Sequence, residues 1–121
     1  MSINDMENTD KHIKYYYEHI GDGYFKKALS NYSESRGFGI EDIWCCFANE
    51  FEAWEEDYFG EEGVAYYFDY PAVEKDCIVI LSYSEFYKYL TEACEEYIKR
   101  NVNEEKEVKV YLKKIKENFK L

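Results

Sequence analysis

The stretch that decides the fold is GEEGVAYYFDYP at residues 60–71, followed closely by CIVIL at residues 77–81. Gly60-Glu61-Glu62-Gly63 is a turn signal between apolar runs. From Val64 to Tyr70 the side chains alternate, which is the period of a strand. Val64, Tyr66, Phe68 and Tyr70 share one face; Ala65, Tyr67 and Asp69 share the other. Pro71 lacks an N–H and ends the ladder. Cys77 to Leu81 is apolar on both faces, so it is expected to be a central strand covered on both sides. Val73 to Asp76 forms the connection. Working backwards, the residues from Phe51 read as the first arm of a hairpin that closes at Gly60–Gly63. The segment from Phe38 to Phe47 stays open. Ile40, Trp44, Phe47, Phe51 and Trp54 fit a helical stripe, yet Ile43 to Phe47 fits a short buried strand.

Helical periodicity flanks this centre on both sides. Asp10 is the expected N-cap of a first helix carrying Ile13, Tyr16, Tyr17 and Ile20, with Gly21 as its stop. A second helix is expected from Asp22 to Arg36, with Phe25, Ala28, Leu29 and Tyr32 as its stripe. The tight junction at Gly21–Gly23 makes these a bent pair. Beyond the strands, Ser82-Tyr83-Ser84-Glu85 matches a capping box. Phe86, Leu90, Ala93 and Tyr97 follow at helical spacing, and Asn101 suits the end. Asn103 is the expected cap of a last helix bearing Val108, Tyr111, Leu112, Ile115 and Phe119, with Glu105 and Lys109 paired on its wet face. The polar start, residues 1–9, is expected to be disordered. The prediction is an α+β fold: a single domain over residues 1–121, with helices at both ends packed on a small central antiparallel sheet.

With 121 residues there is room for one core, and 46% apolar residues are enough to fill it. The formal charge is −11. A strongly acidic chain is a poor match for nucleic acid or an anionic membrane. No apolar run approaches the ~20 residues of a membrane-spanning helix, and Met1 to Asp10 lacks the pattern of a secretory signal. The expected location is the cytoplasm, where Cys45, Cys46, Cys77 and Cys94 remain thiols. The charge is unevenly placed. Residues 41–76 hold 12 acids against one base, Lys75, while the flanks hold 14 of each and sum to zero. The same segment carries Trp44, Phe51, Trp54, Tyr58, Phe59, Tyr66, Tyr67, Phe68 and Tyr70. Charge accelerates encounter with a basic protein, and aromatics supply burial once it is bound.

Catalytic and metal chemistry finds little footing. An EF-hand loop starting at Asp57 fails, because Phe59 and Glu61 fall on ligand positions and Glu62 stands where glycine is required. His12 and His19 lie seven apart with no nucleophile at a known spacing. Phosphate-binding glycine loops and nucleophile elbows are missing, and Gly21-Asp22-Gly23 reads as a helix break. At this density of acids, a carboxylate pair of hydrolase type would arise by chance. No enzyme is expected, nor any metal or cofactor.

Several runs together resemble a known family. They are Gly37-Phe38-Gly39, Trp44-Cys45, Phe51-Glu52-Ala53-Trp54-Glu55-Glu56-Asp57-Tyr58-Phe59, and Gly63 through Val73. The likeness continues through Phe86-Tyr87-Lys88-Tyr89-Leu90 and Tyr111-Leu112-Lys113-Lys114-Ile115. The chain thus resembles immunity proteins of contact-dependent growth inhibition systems, in particular the ribonuclease-toxin immunity proteins. The resemblance implies a non-enzymatic antitoxin that binds the C-terminal nuclease domain of a cognate toxin in the cytoplasm. A nuclease must hold a polyanion, so its cleft is basic, in accord with the acidic segment. The expected contact surface is the 52–69 hairpin. Glu52, Glu55, Glu56, Asp57, Glu61, Glu62 and Asp69 would steer and pair, and Tyr58, Phe59 and Tyr67 would anchor. The alternative is an acidic interaction module that regulates a basic or nucleic-acid-binding host protein.

Overall fold

The computed structural model of the chain describes residues 4–121. Helix α1 runs over Asn4–Ser33 and breaks at Gly21, whose φ of 63° and ψ of 179° leave the helical region. A left-handed φ suits glycine, which has no Cβ to clash. The bent pair expected from the sequence is therefore present. Its start differs from expectation. Residues 4–9, expected to be disordered, are helical; residues 1–3 lie outside the described range. Asp10 does not cap; it sits inside the helix and pairs with Lys14 one turn on, at 3.0 Å.

Four strands follow: β1 (Gly39–Ile40), β2 (Ile43–Phe47), β3 (Val64–Phe68) and β4 (Cys77–Leu81). They form one antiparallel sheet in the order β1-β2-β3-β4. Ile43–Phe47 is thus a strand, and its register pairs Ile43 with Phe68 and Phe47 with Val64. This corrects the expected 52–69 hairpin. The partner of Val64–Phe68 is Ile43–Phe47, and residues 51–63 form bends and turns between them after a short 3-10 turn at Ala48–Glu50. Acids at 52, 55, 56 and 57 suit a solvated loop better than a ladder. Close approach of β1 to β2 depends on Gly39, where an added Cβ would stand 2.0 Å from the Trp44 Cβ.

Helices α2 (Tyr83–Arg100) and α3 (Glu105–Asn118) complete the chain. The capping box is formed: Ser82 Oγ accepts the Glu85 N–H at 3.1 Å, and Glu85 Oε1 accepts the Ser82 N–H at 2.9 Å. The Glu105–Lys109 pair is also present, at 2.7 Å. Asn103 does not cap α3. A 3-10 turn spans Val102–Glu104, and Glu104 is held by Lys26 and by the Tyr97 hydroxyl.

One core joins every layer. Ile13, Tyr16, Leu29 and Tyr32 of α1 meet Ile43, Cys45 and Phe47 of β2, Tyr66 and Phe68 of β3, Phe86 and Leu90 of α2, and Ile115 of α3. The fold is α+β, as expected, with the helices on one side of the sheet. Strand β4 corrects the expectation of a central strand. It is an edge strand, and Ile78 and Ile80 on its outer side are 59% and 54% exposed. Tyr70, expected to share a strand face with Val64, Tyr66 and Phe68, lies beyond the strand and is exposed.

Candidate functional site

Strand period two places Ile43, Cys45, Phe47, Val64, Tyr66 and Phe68 on the helix-covered face, all of them buried. The opposite face is built from their neighbours. Opposed residues of an antiparallel sheet share a face, so two cross-strand rows run across it. One is Gly39, Trp44, Tyr67, Ile78; the other is Cys46, Ala65, Ile80. Neither row carries a charged residue, and the helices pack on the other face, although Ala65 in the second row is fully buried. Trp44 and Tyr67 stack across the strands, with ring centroids 5.1 Å apart and planes 13° apart.

Acids surround this apolar floor. An open cavity of about 500 Å³ is lined by Trp44, Cys46, Phe51, Tyr67, Cys77 and Ile78, together with Asp57, Asp69 and Asp76. Asp57 arrives from the loop, Asp69 just past the end of β3, and Asp76 just before β4. One Asp76 oxygen accepts the Tyr70 N–H at 2.7 Å, which ties the β3–β4 connection together. Loss of water, then the neighbouring Asp76 and Asp42, pushes the Asp69 carboxyl above its ordinary range. The Tyr67 phenol rises to about 12 through desolvation, with Cys46, Asp57 and Glu50 adding to it. Desolvation followed by Glu50 carries the Cys46 thiol to about 12. Cys77 also rises, through desolvation and then Asp76 and Asp69. Every shift disfavours negative charge, first through loss of water and then through the neighbouring carboxylates or thiol.

The ion pairs confirm that imbalance. Among the described residues every salt bridge lies in the flanks: Asp10–Lys14, Glu34–Arg36, Glu96–Lys99, Asp22–Arg100, Glu105–Lys109, and Lys26 with both Glu104 and Glu107. None involves an acid between 41 and 76. The flanks are neutral and pair about half of their charges internally, whereas the central charge is left whole.

The structure distributes the sequence-selected residues over several places. Asp57, Tyr67 and Asp69 meet in the cavity. Glu52, Glu56, Glu61 and Glu62 are exposed on the loop. Glu55 is half-buried and accepts the Glu52 N–H at 2.8 Å, so it shapes the loop. Tyr58 and Phe59 are half-buried, and Phe59 packs edge-on against Phe51 at 6.1 Å. Sequence reasoning left out Trp44, Trp54, Asp76, Ile78 and Ile80. Trp54 is 81% exposed at the loop, the most exposed large apolar side chain among the described residues. The isoleucines were passed over because an all-apolar strand reads as covered. Among the described residues no group of three or more metal-ligating side chains converges. His12 and Cys77 do meet, Nε2 to Sγ at 3.3 Å, while His12 Nδ1 bonds the Asn8 carbonyl oxygen at 2.6 Å. Burial, then Asp76 and Asp69, push the Cys77 thiol up, against the thiolate form. No helix among the described residues is long and apolar enough to cross a membrane.

Comparison with known proteins matches residues 9–112 to a family model described as a CDI immunity protein, CDI being contact-dependent growth inhibition. No curated protein matches the chain.

Proposed function

The chain belongs to the CDI immunity protein family, and from that premise we propose that it binds and neutralises the C-terminal nuclease domain of a cognate toxin in the cytoplasm. The toxin domain is a ribonuclease in this reading, and the chain blocks it by binding, without catalysis or a cofactor. The contact surface is the acidic, aromatic central segment, comprising the 51–63 loop and the uncovered sheet face. The observation that carries this surface is the uncompensated charge beside an open aromatic floor: twelve acids between 41 and 76, none in a salt bridge among the described residues. A ribonuclease presents a basic cleft to its polyanionic substrate. Opposed charge raises the association rate, and aromatic burial lengthens residence.

The test is co-purification of the chain with the toxin's C-terminal domain, followed by an RNA-cleavage assay at equimolar protein. Loss of cleavage is expected. A toxin domain that stays fully active at equimolar chain would sink the reading. Charge reversal at Glu55 and Glu56 is expected to slow association and flatten its salt dependence. An unchanged on-rate would move the interface away from the loop.

A further inference from the structure

We propose that the cavity on the uncovered sheet face is an anchor pocket for one arginine side chain of the bound toxin domain. This rests on the antitoxin reading and narrows it from a surface to a chemical group.

Three features of the cavity converge on a guanidinium. The first is the aromatic pair. Trp44 and Tyr67 stack on each other, both line the cavity, and both keep part of their surface in water. The Trp44–Tyr67 stack thus offers π-faces above an otherwise apolar row. A cation over such a face is attracted by the ring quadrupole. Guanidinium is planar and weakly hydrated, so it stacks there at less cost than an ammonium.

The second is the placement of the carboxylates. Asp69 and Asp76 bracket the β3–β4 connection, and Asp57 approaches from the loop. One Asp76 oxygen is held by the Tyr70 N–H, which fixes the position of that carboxylate. Among the described residues no cation forms a salt bridge with these carboxylates. Lys75 is the only base between 41 and 76, and among the described residues it takes part in no salt bridge. Several carboxylates around one cation match the fork of arginine, which presents donors in more than one direction.

The third is the apolar rim. Ile78 is 59% exposed beside Tyr67 in the same cross-strand row. An incoming arginine must cross that rim with its methylene stem, and stems of this kind settle on apolar surface while the charged head sits beyond. A lysine would satisfy the charge but would use neither the flat ring faces nor the multiple carboxylates as well.

The first arm of the test needs no toxin. The 15N-labelled chain is titrated with N-acetyl-arginine amide and, at matched ionic strength, with N-acetyl-lysine amide. The Trp44 indole N–H and the amides of Tyr67, Asp69 and Ile78 are expected to shift. They should respond to the arginine amide at a concentration about threefold lower, or less, than to the lysine amide. Tyr67→Leu and Asp69→Asn should each abolish the response. Equal responses to the two amides, or shifts scattered over the acidic loop, would overturn the assignment.

The second arm uses the complex. Tyr67→Leu keeps the apolar bulk and removes the ring; Asp69→Asn and Asp76→Asn keep the shape and remove the charge. Each is expected to speed dissociation roughly tenfold, the scale of a desolvated cation–π contact or a charged hydrogen bond. One toxin arginine changed to lysine should give a similar loss that does not add to the others. If the wild-type chain binds and all three variants dissociate at the wild-type rate, the pocket is wrong and the antitoxin reading stands. If the wild-type chain does not bind the toxin domain, the antitoxin reading fails, and the pocket with it.

Discussion

Changing both Ile78 and Ile80 to threonine tests whether the uncovered sheet face is an interface. Threonine keeps the β-branch, so the preference for strand is retained. Fully burying an isoleucine side chain is worth about 1.5–3 kcal/mol. With 59% of Ile78 and 54% of Ile80 still in water, a partner that covers them recovers about 1–1.5 kcal/mol from each. The double change removes most of that gain, about 2 kcal/mol, which is about 30-fold in Kd. The cost to folding is smaller, about 1 kcal/mol for the pair, because the lost atoms are the outward ones. Urea denaturation measures the second quantity, and calorimetric titration with the toxin domain measures the first. A well-folded double variant that binds with unchanged Kd refutes the argument. A loss of folding stability above about 3 kcal/mol also refutes it, since only core positions carry such a cost.

Three further outcomes probe the frame. Gly39→Ala is expected to destabilise by about 1–3 kcal/mol, because the new Cβ would lie 2.0 Å from the Trp44 Cβ and 2.6 Å from the Ile43 carbonyl oxygen; thermal melts and the Trp44 fluorescence report it. Ser82→Ala breaks both bonds of the capping box and should cost about 1 kcal/mol by urea denaturation. Asp22→Asn tests a pH dependence. The Arg100 guanidinium, which pairs with it at 2.9 Å, and then Asn101 hold the Asp22 carboxyl below its ordinary range. A carboxyl lowered by folding contributes stability above its unfolded value, about 3.9, and loses it as pH falls through the lower folded value. The pair is exposed, so the contribution stays below about 1 kcal/mol. The variant is expected to be slightly less stable at pH 7 and to converge with wild type in acid. A gap that persists at the lowest pH would assign the effect to packing.

The expected features that survived are those written into neighbouring residues. The capping box needs only Ser82 and Glu85 three apart, and both of its bonds are formed. Gly21 breaks α1 as its place between two apolar stripes suggested. Val64, Tyr66 and Phe68 share the core face because side-chain alternation is a property of any strand. The segregation of charge is a fact of sequence alone, and so is the coincidence of aromatics with it.

Long-range pairing decided the rest. Whether Ile43–Phe47 is strand or helix depended on finding Val64–Phe68 as its partner, across a loop that no local period describes. The site divides in the same way. Most acids at 52–62 could be named as exposed from composition, whereas the meeting of Asp57, Tyr67, Asp69 and Asp76 around the Trp44 ring required four segments to fold together. By itself, the sequence determined the helical frame, the α+β class and the location of the charge. Only the tertiary structure decided that β4 is an edge strand and that the helices leave one face of the sheet without a helical layer. The physical reason is that a run such as CIVIL carries the same apolar atoms in either setting. Whether its outer face is covered depends on the strand order, which puts it at the margin, and on three helices that all pack on the other side.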